Sequence, residues 1–245
     1  MSEKIQFVDT RINGKWNLLL PEFRAKRFRD WEKWEKERLE SMFLHIKKGD
    51  IVYEIGAEEG DFAALCQKWV GDNGGVVLFE PQPLIWPNIK AIFENNELKN
   101  PLAYYVGFAS NSTEENPPNL NFDAKDKQGW PLCAYGELKP DRGFRHLAQE
   151  IDATPQIKLD DFYKRTYLIP DVMSIDVEGS EFHVLMGAER ILSKYKPMIF
   201  VSVHESLKVM YDQTEDDIDN FMYKLGYEKE HIATDHEKHI RYFCD

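Results

Sequence analysis

The stretch Ile51-Val52-Tyr53-Glu54-Ile55-Gly56-Ala57-Glu58-Glu59-Gly60, with the helical run from Asp61 to Val70 behind it, decides how this chain folds. A short apolar segment, a turn bounded by glycines and an amphipathic run predict a strand, a tight loop and a helix. The pattern then repeats. A second strand, Gly75 to Phe79, ends at Glu80-Pro81, a helix runs from about Leu84 to Asn96, and a third strand covers Leu102 to Phe108. Such alternation predicts an α/β fold built on a parallel sheet with helices on both faces.

Further along, Gln156–Leu159 and a short helix from Asp160 lead to the buried strand Val172–Ile175, which ends in Asp176-Val177-Glu178-Gly179. A helix is expected over Ser180–Tyr195. The strand Met198–Val203 follows and ends in His204-Glu205, and a tail helix spans Thr214–Leu225 with short strands at Tyr227–Ile232 and Ile240–Cys244. Residues 49–245 therefore read as one domain. Residues 1–48 form an N-terminal extension in which 1–20 carry little pattern and Pro21–Ile46 predicts one long helix. Ala25, Phe28, Trp31, Leu39, Met42, Phe43 and Ile46 share one face of that helix, Trp34 lies off it, and the charged residues are solvated. Residues 110–154 interrupt the alternation and read as an insertion near the carboxyl edge of the sheet, either a lid holding Trp130, Tyr135, Arg142 and Arg145 or a surface excursion.

Composition narrows the function. The 245 residues carry 31 Lys+Arg against 43 Asp+Glu, a net charge of −12, so a polyanion is an unfavourable main partner. Hydrophobic residues at 42% and aromatics at 13% exclude a disordered chain. Cys66, Cys133 and Cys244 are widely spaced and form no CxxC pair, which excludes a cysteine zinc site and points to a reducing, cytoplasmic setting. The longest apolar runs fall short of a membrane span, and the first residues carry no apolar signal core, so Asn111-Ser112-Thr113 is read as an accidental sequon.

The loop chemistry is more specific. A dinucleotide loop brings a pyrophosphate against backbone and a helix N-terminus. Here Glu54, Glu58 and Glu59 would repel it. They suit a phosphate-free, cationic ligand, for which S-adenosylmethionine is the candidate. Glu80, 24 positions beyond Gly56 and at a strand end, is placed to accept hydrogen bonds from ribose hydroxyls. Asp176 and Glu178 alternate on an extended segment and so can face one ligand, or they cap the helix that follows. His204 is the natural proton acceptor beside them, or a hydrogen-bonded structural histidine. His231, His236 and His239 read as surface residues.

With Glu54-Ile-Gly-Ala-Glu-Glu-Gly60, Phe79-Glu-Pro81, Leu159-Asp-Asp-Phe162, Ser174-Ile-Asp-Val-Glu-Gly-Ser-Glu181, Leu185-Met-Gly-Ala188 and Val203-His-Glu205 in view, the chain resembles the FkbM family of S-adenosylmethionine-dependent methyltransferases. The resemblance implies a Rossmann-like sheet of about seven strands, the last antiparallel, and methyl transfer to oxygen, often a sugar hydroxyl of a glycan, glycolipid or natural product. It also implies that Glu54, Gly56, Ala57 and Gly60 hold the methionine part of the cofactor. Glu80, with Pro81 beside it, would bind the ribose, Ala109 and Ser110 would lie by the adenine, and Asp176 would sit near the reacting centre. Glu58 and Glu59 stand where the family more often carries Asn and a small or apolar residue, and the 110–154 insertion is longer than usual.

The expected activity is O-methylation, with Asp176, Glu178 and His204 as catalytic candidates and either His204 or Asp176 as the base. Mg²⁺ held by Asp176 and Glu178 would be an alternative way to acidify the hydroxyl, although the sequence identifies no third ligand. Two other readings stay open. One is a non-catalytic binding module that kept the fold. The other is an RNA or cap methyltransferase using Arg24, Lys26, Arg27 and Arg29, with Trp31 and Trp34, as an anion patch.

Overall fold

A computed structural model describes residues 5–27, 30–115, 129–138, 154–205, 209 and 211–244. Arg29, Arg142 and Arg145, and with them most of the expected 110–154 insertion, lie outside the described residues.

The chain opens with a hairpin that the sequence pattern did not suggest. Strands β1 (Phe7–Ile12) and β2 (Trp16–Pro21) pair antiparallel around Asn13-Gly14, both at positive φ (49° and 64°), as a tight hairpin turn requires. The expected single helix over Pro21–Ile46 is two pieces, α1 (Glu22–Ala25) and α2 (Lys36–His45). Two local features break it. The Trp31 indole N–H donates to the Ala25 carbonyl at 2.8 Å, and Glu35 takes a left-handed φ of 41° immediately before α2.

From β3 (Ile51–Ile55) the predicted alternation holds through α3 (Asp61–Val70), β4 (Gly75–Phe79), α4 (Trp86–Asn95) and β5 (Ala103–Tyr105). The third strand stops at Tyr105. A Cβ at Gly107 would meet the Pro155 carbonyl oxygen at 2.4 Å, so two backbone segments cross closely there. The chain continues as β6 (Phe108–Ala109), paired in parallel with β7 (Gln156–Ile157) outside the main sheet. Next come α5 (Leu159–Thr166), β8 (Val172–Ile175), α6 (Glu181–Met186) and α7 (Glu189–Tyr195). The expected 180–195 helix is broken because Gly187 abuts the backbone of Ser110 and Asp160 caps the free N–H groups of Arg190 and Ile191. Strand β9 (Met198–Val203), α8 (Glu215–Lys224) with its Thr214/Asp217 capping box, β10 (Glu228–Thr234) and β11 (Lys238–Phe243) complete the fold.

The seven-stranded sheet runs β10-β11-β9-β8-β3-β4-β5, with β11 antiparallel to both neighbours and the inner strands parallel. Strand alternation divides two cores. Val52, Val76, Leu78, Tyr104 and Phe200 face the hairpin, α2, α3 and α4, while Tyr53, Ile55, Val77, Phe79, Met173 and Ile199 face α5 to α8. Residues 129–138 pack on α4, and Trp130 is fully buried with its ring 5.6 Å from Phe93. Trp130 and Ala134 thus join the core, while Leu132 and Tyr135 between and beside them are exposed. No helix among the described residues is long and apolar enough to cross a membrane.

Candidate active site

The chain runs outward from β3 to β5, then returns to lay β8 against β3 on the other side. At that reversal the loops after neighbouring strands diverge and leave a crevice. A cavity of about 770 Å³ opens there. Glu54, Gly56, Ala57, Glu80, Pro81, Ala109, Ser110, Asp176 and Glu178 all line it. Arg27, Trp34, Glu35 and Arg38 close one wall, and His236 and Glu237, from the β10–β11 turn, close another. Eight carboxylates and two arginines border the space.

Gly56 and Gly60 have different tasks. At φ +90°, a Cβ on Gly56 would lie 1.8 Å from the Asp176 carbonyl oxygen, so the first loop turns directly against the β8 terminus. Gly60 does not line the cavity; a Cβ there would meet Ile89 at 2.8 Å, and its bareness lets α3 close on α4. Glu58 and Glu178 take left-handed backbone (φ 48° and 56°), a strain that non-glycine residues carry where a site demands it. Glu80 braces the loop: its two carboxylate oxygens accept the backbone N–H groups of Glu58 (2.9 Å) and Gln82 (2.8 Å). Burial pushes its carboxyl up to about 8, against the pull of those two N–H groups.

Behind the loop lies a buried ionic network. Arg38, on α2 and 3% exposed, donates to Glu35 (2.5 Å), Asp176 (2.8 Å) and Ser174 (3.0 Å). Ser174 is the β8 register partner of Glu54 on β3, and its hydroxyl donates to Glu54 Oε1 at 3.3 Å. Glu54 Oε2 is buried without a hydrogen-bond partner. Burial raises the Glu54 carboxyl well above the usual range, Asp176 and Glu35 push the same way, and Arg38 opposes them. Burial likewise raises Glu35.

The supposed anion patch is spent on carboxylates. Arg24 is fully buried and bonds Asp61 at 2.8 Å and Glu58 at 3.1 Å, while Arg27 bonds Glu59 at 3.2 Å. The loop carboxylates Glu58 and Glu59 are therefore countered by arginines, and Arg24 and Arg27 of the alternative anion patch are engaged with them. Lys26 pairs with Glu22, and Trp31 is a core residue.

His204, at the end of β9, does not line the cavity but lies against Asp176 and Glu237, which do. Its Nδ1 meets Glu181 Oε1 at 2.6 Å, and its Nε2 lies 3.2 Å from Glu237, 3.6 Å from Glu178 and 3.7 Å from Asp176. Burial disfavours the imidazolium, but Glu181, Glu237 and Asp176 together outweigh it and raise the ring to about 11. Carboxylates on both ring nitrogens favour the protonated ring, which weighs against His204 as the proton acceptor. Burial works against the Glu237 carboxylate, yet His204, Arg38 and His236 hold it down to about 2. One tail histidine also differs from expectation. His239 is 1% exposed between Ser202 and Asp235, whereas His231 and His236 are exposed as expected, His236 also bordering the cavity.

The residues that pattern reading missed are Glu35, Arg38 and Glu237. Arg38 looks like any charge on a helix rich in Lys and Glu, and Glu237 reaches the site only because β11 folds back on β9. Glu181 lies inside the quoted Asp176–Glu181 motif, but at the first position of α6 nothing local separates it from an ordinary helix-start acid.

Among solved structures, methyltransferase FkbM from Methylobacillus flagellatus KT aligns with a TM-score of 0.53 and 19% identity over 80% of this chain, and the chain spans 43% of the length of that structure. Aeropyrum pernix fibrillarin in complex with S-adenosyl-L-methionine aligns at 0.49 and 13% identity over 99% of this chain and 84% of its own, and M. jannaschii TYW2 in complex with AdoMet at 0.48 and 14% over 100% and 90%. No curated protein matches the sequence. The family model for the methyltransferase FkbM domain matches residues 54–229, from the end of β3 to the start of β10, and the chain belongs to that family of Rossmann-like methyltransferases.

Proposed function

We propose that this protein is an S-adenosylmethionine-dependent O-methyltransferase acting on a hydroxyl of a sugar, glycan or related small molecule. The observation that carries the reading is the crevice between the β3 and β8 loops, bordered by eight carboxylates, with Glu54 Oε2 buried and unpartnered at its base. An unsatisfied buried acceptor is a costly feature that a ligand's ammonium group would relieve. Each Glu80 oxygen accepts one backbone N–H and keeps a lone-pair direction for a ribose hydroxyl. Ala109 and Ser110 line the cavity and would border the adenine, and the close turn at Gly56 would let backbone approach the methionine part. S-adenosylmethionine, when bound, supplies an electrophilic methyl group on a cationic sulfur.

The chain's own residues do the rest. Arg38 holds Asp176 Oδ2, which leaves Oδ1 to orient an acceptor hydroxyl. Glu178, 84% exposed at the cavity mouth, can receive the hydroxyl proton and pass it to water. Asp176 and Glu178 remain the catalytic assignment, and His204 is a positioning residue behind them. Isothermal calorimetry with S-adenosylmethionine, followed by transfer of a labelled methyl group to a panel of hydroxylated saccharides, tests the reading. Absence of cofactor binding at millimolar ligand would sink it in favour of a non-catalytic module.

A further inference from the structure

We infer that Asp176, His204 and Glu237 form a binding site for a divalent first-row transition-metal ion. One ligand atom from each lies within 4.8 Å of the other two. The fold brings them together from three strand ends. Asp176 follows β8, His204 follows β9, and Lys238 opposite Val203 in the β9–β11 register sets Glu237 beside His204. Ligand atoms about 2.1 Å from a metal stand about 3.0 Å apart at octahedral angles and about 3.4 Å apart at tetrahedral ones. The separations from Nε2, 3.2 Å to Glu237 and 3.7 Å to Asp176, are close to these values before any ion draws the groups inward.

An independent feature points to a ligand. The His204 side chain is 9% exposed, and its buried Nε2, aimed between the carboxylates, makes no hydrogen bond of acceptable geometry. The opposite nitrogen, Nδ1, is fixed by Glu181, which is fully buried and also accepts the Gly179 N–H at 2.9 Å. Metal-bound histidines are oriented this way, with a carboxylate on the nitrogen away from the ion. Asp176 is oriented in the same sense, Arg38 taking one oxygen and leaving the other facing inward. Glu237 Oε2 is also buried and unpartnered.

The donor set selects the metal. Mg²⁺ demands a near-ideal shell of oxygens, whereas one imidazole with two carboxylates suits Mn²⁺, Fe²⁺, Co²⁺ or Zn²⁺. This revises the Mg²⁺ expected from sequence and supplies the ligand missing there. A dication here takes the place of the ring proton and abuts the cavity through Asp176. Its role, to take an acceptor oxygen as a further ligand, rests on the methyltransferase reading; the site itself does not.

The test uses the full chain, stripped with chelator and dialysed, titrated with MnCl₂ and followed by electron paramagnetic resonance and calorimetry. One Mn²⁺ per chain is expected, not displaced by equimolar Mg²⁺, and His204→Ala and Glu237→Gln should each weaken binding at least about tenfold. Mn²⁺ should also raise the Tm of the wild type and not that of either variant. No binding at millimolar Mn²⁺, or unchanged binding in both variants, overturns the site. S-adenosylmethionine affinity measured in the same preparations separates the two readings. Cofactor without Mn²⁺ refutes only the metal site, and Mn²⁺ without cofactor supports the site while refuting the methyltransferase assignment.

Discussion

Replacing Arg38 with Met tests the ionic network directly. The substitution keeps an unbranched side chain of similar length but removes the charge that meets Glu35, Asp176 and Ser174. Arg38 is 3% exposed, so water cannot replace it. Breaking a buried pair by deleting one partner costs about 3–5 kcal/mol. For a chain of this size each kcal/mol lowers Tm by about 2–4 °C, giving an expected loss of roughly 6–20 °C at pH 8.

The pH dependence follows from the carboxyls left behind. Burial already raises Glu35 and Glu54 in the folded state, and Arg38 is the group that pulls both down. A carboxyl raised on folding contributes most favourably below its unfolded value of about 4.3, and that contribution is lost as pH climbs through the folded value. Without Arg38 both values rise further, so the window of loss extends upward. The deficit of Arg38→Met should therefore be larger at pH 8 than at pH 5.5, and Glu35→Gln added to it should recover part of the loss. Calorimetric melts at the two pH values measure this. A loss below about 2 °C, or one equal at both pH values, would refute the reasoning.

Gly56→Ala should be damaging out of proportion to its size, since its Cβ would fall 1.8 Å from the Asp176 carbonyl at φ +90°. Strain of about 1–3 kcal/mol and a displaced loop should weaken cofactor binding at least tenfold by calorimetry. At pH 9, above the raised value of its carboxyl, Glu80→Gln keeps the volume but loses an anionic acceptor and one lone-pair partner for Glu58 or Gln82. With charged hydrogen bonds at about 1.5–3 kcal/mol, cofactor Kd should rise at least about tenfold. Arg24→Gln should lower Tm, because Asp61 and Glu58 lose their buried partner. It should leave retention on single-stranded RNA unchanged across a salt series; a reduced salt slope would revive the anion-patch reading.

The sheet was legible because its strands are continuous apolar runs and its loops carry glycines where backbones cross. Both signals are local. The hairpin was also locally encoded, by Asn13-Gly14 between alternating residues, but Asp9 and Arg11 on its open face made the stretch look unstructured. The region after Pro21 has helical periodicity yet breaks at Trp31 and Glu35, because an indole–carbonyl bond and a left-handed residue are tertiary choices. For the site, the strand-end residues could be read from their positions, since every parallel strand delivers its last side chains to one edge. Their counterions could not. Whether Arg24 and Arg38 are solvated or buried depends on which sheet face α1 and α2 cover, and nothing local distinguishes them from Lys26 or Lys36.

That division of charges bears on the acceptor. At the Gly56–Gly60 end, Arg24 and Arg27 answer Glu58, Glu59 and Asp61, so little uncompensated charge remains near the loop. At the far end, Asp176, Glu178, Glu181 and Glu237 converge on His204, with one arm of Arg38 as the further cation. The negative surplus is thus concentrated where the reacting centre would lie, and it favours a cationic sulfur, a metal ion or both. A phosphorylated or carboxylated acceptor would face repulsion at that end, because Arg27 and Arg38 are already engaged. A neutral polyol meets no such penalty and can donate its hydroxyls to the same carboxylates. Saccharides without anionic groups should therefore be methylated in preference to their phosphorylated counterparts. A preference for the phosphorylated form in a paired competition assay would show that the carboxylate cluster is not what faces the acceptor.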